Sequence, residues 1–301
     1  MCIRDRPEFI VLPDPNGLPY NNHGNFTSGF LPAQHQGTVI DASDDQPVRY
    51  LFPPKEAKHI HTASEAASRE VLQALNARHM ARTPGDSRLD ARIRSLMMAA
   101  RMQLSVPELF DLKNESPAVL KLYGADKKTT ADFAKRCILG RRMLERGVRF
   151  VQIWSGAGGP SNNWDNHANI HSELPHMTRQ VDQPITALIK DLKARGMLED
   201  TLVVWTTEFG RMPFSQGQAG RDHNGGTFVT WLAGGGAKAG SAYGQSDRWG
   251  WKSETGTTSH DMFATILHLL GVDHEKLTVR HNGIDRRLPD VHGHAVRSIV
   301  A

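Results

Sequence analysis

The sequence predicts an α/β fold, a mostly parallel sheet flanked by helices, and three observations carry that expectation. Short, nearly continuous apolar runs at 148–154, 201–207 and 227–232 read as buried strands. Helix-length segments at 183–195 and 261–270 follow the first and third of them. Strand and helix alternating at this spacing suit a parallel sheet with helices on its faces.

Taken in order, residues 1–6, MCIRDR, look like translated sequencing-adapter read-through and are set aside, so one domain is expected over 7–301. FIVL at 9–12 is a short apolar strand closed by the turn-forming run PDPNG at 13–17. Residues 18–60, rich in Pro, Asn, Gly and Asp, read as long surface loops. A helical insertion spans about 62–146. Within it, Leu89, Ile93, Leu96, Met97, Ala100 and Leu104 share one helical face, and a further helix over 130–146 carries Phe133, Cys137, Leu139, Met143 and Leu144. The strand at 148–154 comes next. Asp182 and Pro184 then open the helix at 183–195 and Gly196 closes it. The strand at 227–232 runs into Gly234, Gly235 and Gly236, which lack the context of a phosphate loop and read as a turn. Thr258 and Asp261 fit a capping box before the last helix, which Gly271 ends. Four strands are fewer than such a sheet normally has, so the domain is expected to be incomplete at its N-terminal side.

Composition narrows the function classes. The chain has 301 residues, 39% hydrophobic and 23% charged, enough to bury a substantial core. Its net charge of +4 comes from scattered Lys and Arg without a basic run or interleaved aromatics, which argues against nucleic acid as a partner. No apolar stretch approaches the ~20 residues of a membrane span. Two cysteines, Cys2 and Cys137, form neither a disulfide framework nor a CxxC pair. Fifteen His residues, many beside Asp, Asn or Gly, are a first hint of metal chemistry.

In open α/β sheets, ligands bind beyond the C-terminal strand ends, so the loops after each strand hold the candidates. After 148–154 come Asp165 and His167, with His171 four residues on. After 201–207 come Glu208 and Arg211, then Arg221, Asp222 and His223. Carboxylate with imidazole suits zinc, manganese or iron, and carboxylates alone suit calcium or magnesium. Each residue also has a structural alternative: Asp165 as a helix N-cap, Glu208 paired with Arg211, His223 as a surface histidine, and His260 with Asp261 as helix capping. Their convergence on one sheet edge favours a metal site of Asp165, His167, Glu208 and His223. Asp222, His171, His260 and Asp261 would form its surround. No GxSxG elbow appears.

Several motifs together resemble the bacterial sulfatase-like family catalogued as domain of unknown function 1501, within the alkaline phosphatase and sulfatase superfamily. They are NFTSGFLPA at 25–33 with QGT at 36–38, WDNH at 164–167, EFGR at 208–211, GRDH at 220–223, AGGG at 233–236, Asp261 with ATILH at 264–268, and LPDVHG at 288–293. The resemblance implies an alkaline phosphatase-like domain of which this chain is the C-terminal portion, with the nucleophile and first metal-binding Asp upstream. It implies that Asp165 and His167 hold a divalent metal ion such as zinc, calcium, magnesium or manganese, that Glu208 stands where the superfamily has a ligating Asp, and that His223 completes the site. Phe209 stands where a ligating His is common, and Ser105-Val-Pro-Glu-Leu109 lacks the final Arg of the formylglycine signature. The expected activity is hydrolysis of a small-molecule or glycan sulfate or phosphate ester, with Arg211 or Arg221 neutralising the anion. This fragment, lacking its nucleophile, is expected to be inactive. The alternative is a secreted carbohydrate- or surface-binding protein on the same fold without catalysis. By the same resemblance the intact protein is periplasmic or secreted.

Overall fold

The computed structural model describes residues 8–32, 35–43, 57, 62–86, 89, 92–93, 106–158, 163–288 and 292–301. They fall into two compact units, Met1–Gly158 and Gly159–Ala301. Most of the apolar helical face read at 86–104 lies outside the described residues, as do Ser105 and positions 289–291.

The first unit is built on a three-stranded parallel sheet in the order β2 (Thr38–Val39), β1 (Phe9–Leu12), β3 (Phe150–Ile153). Strands β1 and β3 fall within the runs read from sequence, and β1 pairs with β3 from Phe9 opposite Phe150 to Leu12 opposite Ile153. Strand β2 emerges from a stretch expected to be loop. Two residues carry too little periodicity to be seen, and their order comes from pairing with β1.

Helices α1 (Thr62–Arg82), α2 (Val106–Phe110), α3 (Pro117–Tyr123) and α4 (Ala131–Glu145) precede β3. Ser116 caps α3 through its hydroxyl, Pro117 occupies the first turn, and Gly124 ends it in the left-handed conformation at φ 71°. Helix α4 lies on the sheet, where Leu139 and Met143 join Ile10, Leu12, Ile40, Leu109 and Val148 in one core cluster. Thus the last helix of the expected insertion builds the core of its unit. Cys137 is wholly buried on α4, and burial pushes its thiol up to about 12, which leaves it unreactive.

Two buried arginine clusters fasten this core. Arg136 donates to the carbonyls of Pro13 and Trp154, tying the exits of β1 and β3, and pairs with Asp132 at 2.7 Å. Asp14 accepts the Gly156 amide at 2.8 Å and the Asn16 amide at 3.0 Å, fixing the turn after β1. Glu115 receives Arg141 at 2.7 Å and Arg142 at 2.5 Å through one oxygen.

The second unit contains α5 (Ile170–Ala194), β4 (Val203–Trp205), β5 (Gly210–Arg211), β6 (His223–Asn224), β7 (Trp231–Ala233), β8 (Gln245–Ser246), β9 (Ser253–Thr255), α6 (Ser259–Leu269), β10 (Thr278–His281) and β11 (Ile284–Arg287). Helix α5 begins well before the expected 183. Its buried residues Met177, Val181, Pro184, Ala187, Asp191 and Leu192 continue one face through both Pro175 and Pro184. Burial of that face offsets the cost of an interior proline, about 3 kcal/mol.

The expectation of a mostly parallel sheet is corrected here. Strands β4 and β7 pair antiparallel, as do β5 with β6, β8 with β9, and β10 with β11. The protein is a mixed α/β fold with one parallel sheet of three strands and four two-stranded pairs among the described residues. Apolar runs reveal burial but not strand direction, so 201–207 and 227–232 looked the same for either pairing. The triple glycine is the expected turn: Gly234, Gly235 and Gly236 have φ of 73°, 53° and 82°. The Thr258 capping box on α6 is also present, with Asp261 accepting the Thr258 amide at 2.8 Å and Thr258 Oγ1 accepting the Asp261 amide at 3.2 Å.

Candidate metal centre

Asp165 and His167 sit in the loop that enters α5. Asn163 Oδ1 accepts the Asp165 amide at 2.9 Å, and the Asp165 carbonyl accepts the His167 amide at 2.9 Å, so the loop is a run of tight turns. Buried Asn166 anchors it by donating to Glu173 of α5 at 3.2 Å. Its carbonyl accepts the Arg221 amide at 2.9 Å, and Ala219 accepts the Ile170 amide at 3.1 Å. These bonds sew residues 219–221 to the loop. Gly220 is required at the seam, because a Cβ there would overlap the His167 carbonyl oxygen. His223 comes from β6, opposite Arg211 of β5.

The three side chains meet at a point. His167 Nε2 and His223 Nε2 each lie 2.9 Å from Asp165 Oδ1 and 3.0 Å from one another. One proton can satisfy only one edge of that triangle, whereas a cation seated over it satisfies all three atoms. Three ligands on one face of an octahedral ion, each about 2.1 Å from it, lie about 3.0 Å apart, and around a tetrahedral ion about 3.4 Å apart. The observed separations of 2.9 to 3.0 Å are close to the first of these values and are also ordinary hydrogen-bond lengths. Two imidazoles and a carboxylate suit manganese, iron or zinc better than calcium or magnesium, whose sites are built from oxygen. Asp165, His167 and His223 are thus a group able to hold a metal ion.

The remaining candidates take other places. Glu208 is outside this group; it lies exposed between β4 and β5, and its Oε2 accepts the Thr207 hydroxyl at 2.9 Å. Phe209 beside it stacks on the His223 ring with centroids 4.0 Å apart and holds that imidazole flat. Arg211 donates to Asp165 Oδ1 at 2.6 Å and to the carbonyls of Trp164 and Arg221 at 3.1 Å each, so its guanidinium props the carboxylate. Arg221 reaches Ser215 Oγ at 3.1 Å and the Gly220 carbonyl at 2.8 Å. Asp222 accepts the backbone amide of His223 at 2.8 Å. His171 is exposed on the first turn of α5. His260 lies on the first turn of α6, and Asp261 serves the cap and accepts the His294 amide at 2.9 Å. Gln216, which the sequence reading missed, places Oε1 2.6 Å from His167 Nδ1. No residue-type signal marks a lone Gln in a polar loop.

Burial pushes the Asp165 carboxyl up, but hydrogen bonds from Arg211 and His223 and the charge of Arg211 outweigh it and hold the group below the usual carboxylate range. The oxygen facing the two imidazoles therefore stays anionic at neutral pH.

The profile of a family described as "Protein of unknown function (DUF1501)" matches residues 3–300. The chain belongs to the DUF1501 family. No curated protein and no solved structure matches this DUF1501 chain. The DUF1501 match spans both units, and the motifs that carry the three candidate ligands, WDNH and GRDH, lie within it. No helix among the described residues is long and apolar enough to cross a membrane.

Proposed function

We propose that this DUF1501 protein is a metal-dependent hydrolase of sulfate or phosphate esters, with one divalent cation held by Asp165, His167 and His223. The reading rests on a single observation, the convergence of two imidazole nitrogens and an anionic carboxylate oxygen at 2.9 to 3.0 Å from one another. Asp165, His167 and His223 would hold the divalent ion, which would supply Lewis acidity toward an ester oxygen and lower the pKa of a bound water toward ~7. Arg211 keeps Asp165 ionised and oriented, and Phe209 holds the His223 ring. Arg221, on the same strap as His223, is the cation for the anionic ester oxygens, since Arg211 is committed to Asp165 and two carbonyls. The setting we propose is periplasmic or secreted.

A glycan ester is the substrate favoured by one further observation. Buried Asn224, next to His223, donates to the carbonyls of Gly250 and Trp251, and Asp247 accepts the amides of Trp249, Trp251 and Lys252. This rigid loop leaves Trp249 and Trp251 exposed, with Phe214 edge-on to Trp251. Exposed aromatic rings suit the apolar faces of sugar rings, here with Arg248 over Trp249 and Lys252 over Trp251 as neighbouring cations.

The test is metal content and ester hydrolysis by the protein at the length its gene encodes, for wild type and for Asp165→Ala and His223→Ala. About one divalent ion per chain is expected in wild type and a loss of at least tenfold in affinity in each variant, with hydrolysis falling in step. Unchanged metal content in both variants would remove the site, and a metal-loaded wild type inert toward sulfate and phosphate esters would remove the activity.

A further inference from the structure

His167 has two ring nitrogens with different neighbours. Nε2 faces Asp165 Oδ1 and His223 Nε2, while Nδ1 faces Gln216 Oε1 at 2.6 Å. The nearest carboxylate on the Nδ1 side, Asp222, is 3.9 Å away, beyond hydrogen-bond reach. With the amide oxygen of Gln216 turned to the ring, Nδ1 carries the hydrogen, and in the neutral ring Nε2 is then a bare lone pair. That is the tautomer a cation needs and the one least comfortable beside a carboxylate oxygen without one.

We propose that Gln216 is the positioning residue of this centre: it fixes His167 as the Nδ1–H tautomer and so commits Nε2 to the cation. The proposal rests on the cation-site reading above and deepens it. Gln216 is well placed to be rigid. It exchanges two backbone hydrogen bonds with Gly220, its amide to the Gly220 carbonyl at 2.9 Å and the return bond at 3.0 Å. Residues 217–219 close this narrow loop, with Gly217 at φ 58°. Because Gly220 abuts the His167 carbonyl and Ala219 binds the Ile170 amide, one strap positions both the His167 backbone and the acceptor for its ring. An outer acceptor that orients a ligating imidazole typically contributes 10- to 100-fold in metal affinity.

The experiment compares wild type with Gln216→Leu and Gln216→Glu, all metal-free and at a pH near 8, where free imidazoles are neutral. Long-range 1H–15N correlation spectra of 15N-histidine-labelled protein report the tautomer of His167, assigned by its loss in His167→Asn. Affinity is read with Zn2+ alone against a chromophoric chelator. Wild type should show the Nδ1–H form. Gln216→Leu should show mixed tautomers and bind Zn2+ about 10- to 100-fold more weakly, while Gln216→Glu, which still accepts from Nδ1–H, should match or exceed wild type. An unchanged tautomer and affinity in Gln216→Leu, or a loss in Gln216→Glu equal to that of Gln216→Leu, overturns the proposal. The tautomer reading does not need metal. If wild type binds no Zn2+, the cation-site reading fails, while the spectra still decide whether Gln216 fixes the ring.

Discussion

The two units are held together by different means. The first closes around an apolar cluster in which helix α4 packs on a parallel sheet, reinforced by arginines buried to a few per cent exposure. Among its described residues the second has a short run of buried apolar side chains, on α5 and α6, and relies on two-stranded ribbons, Asn and Asp side chains bonded to backbone, and glycine contacts. The candidate metal centre belongs entirely to the second kind of construction. A cation site must keep its polar ligands open to their ion, and polar loops sewn by backbone hydrogen bonds hold such groups without burying them. If this division is real, core and ion-pair changes in the first unit should cost stability, and seam changes in the second should cost metal.

The largest effect is expected from Glu115→Ala. Its carboxylate faces Arg141 and Arg142, both nearly fully buried; without it Arg141 keeps Glu145 at 3.0 Å and Arg142 keeps backbone carbonyls, a loss of about 3 kcal/mol. Burial raises the Glu115 carboxyl, but the hydrogen bonds and charges of the two arginines more than reverse this and hold it below its ordinary value of 4.5. A depressed folded pKa gives stability that is present above the unfolded value and lost as the pH falls through the folded one. Denaturant titrations should therefore show wild type weakening below about pH 4.5, with a shallower acid slope in Glu115→Gln. Equal acid slopes would show that this cluster does not govern the first unit.

Gly220→Ala tests the other half of the comparison. Its added methyl would collide with the His167 carbonyl and force the strap away from the loop, moving His167 and Gln216 together. Metal affinity should fall by about 100-fold or more, with the stability of the first unit unchanged. Wild-type affinity in Gly220→Ala would mean that the seam does not set the ligand geometry.

What could be read from sequence follows the same division. Strands β1 and β3 and the apolar face of α4 were legible, because burial leaves periodic apolar residues. Asp165, His167 and His223 were legible for another reason: ligand-type side chains cluster in loops after strands. Glu208 had the same credentials, yet only the three-dimensional path of the chain separates a carboxylate that joins the group from one that ends on Thr207. The start of α5 was hidden because Pro184 reads as a helix opening although here it lies within a continuous buried face. The β10–β11 hairpin was missed despite an available signal, Asn282-Gly283, whose φ angles of 51° and 79° are those of a two-residue hairpin turn.

The smallest effect is expected at the N-terminus of α6, where sequence and structure agree. Thr258→Ala removes the hydroxyl that accepts the Asp261 amide, and one orphan donor of the first helical turn loses its partner. Asp261 would keep the Thr258 amide at 2.8 Å and the His294 amide at 2.9 Å, so half of the box survives. The expected loss is about 1 kcal/mol in thermal or denaturant unfolding, with Thr258→Ser restoring most of it. Because this cap lies on α6 and not on the strap or loop that carries the three ligands, metal affinity should not move. A variant that lost metal along with the cap would show that the second unit responds as one body. The contrast between a core that sets stability and a seam that sets chemistry would then have to be redrawn around α6.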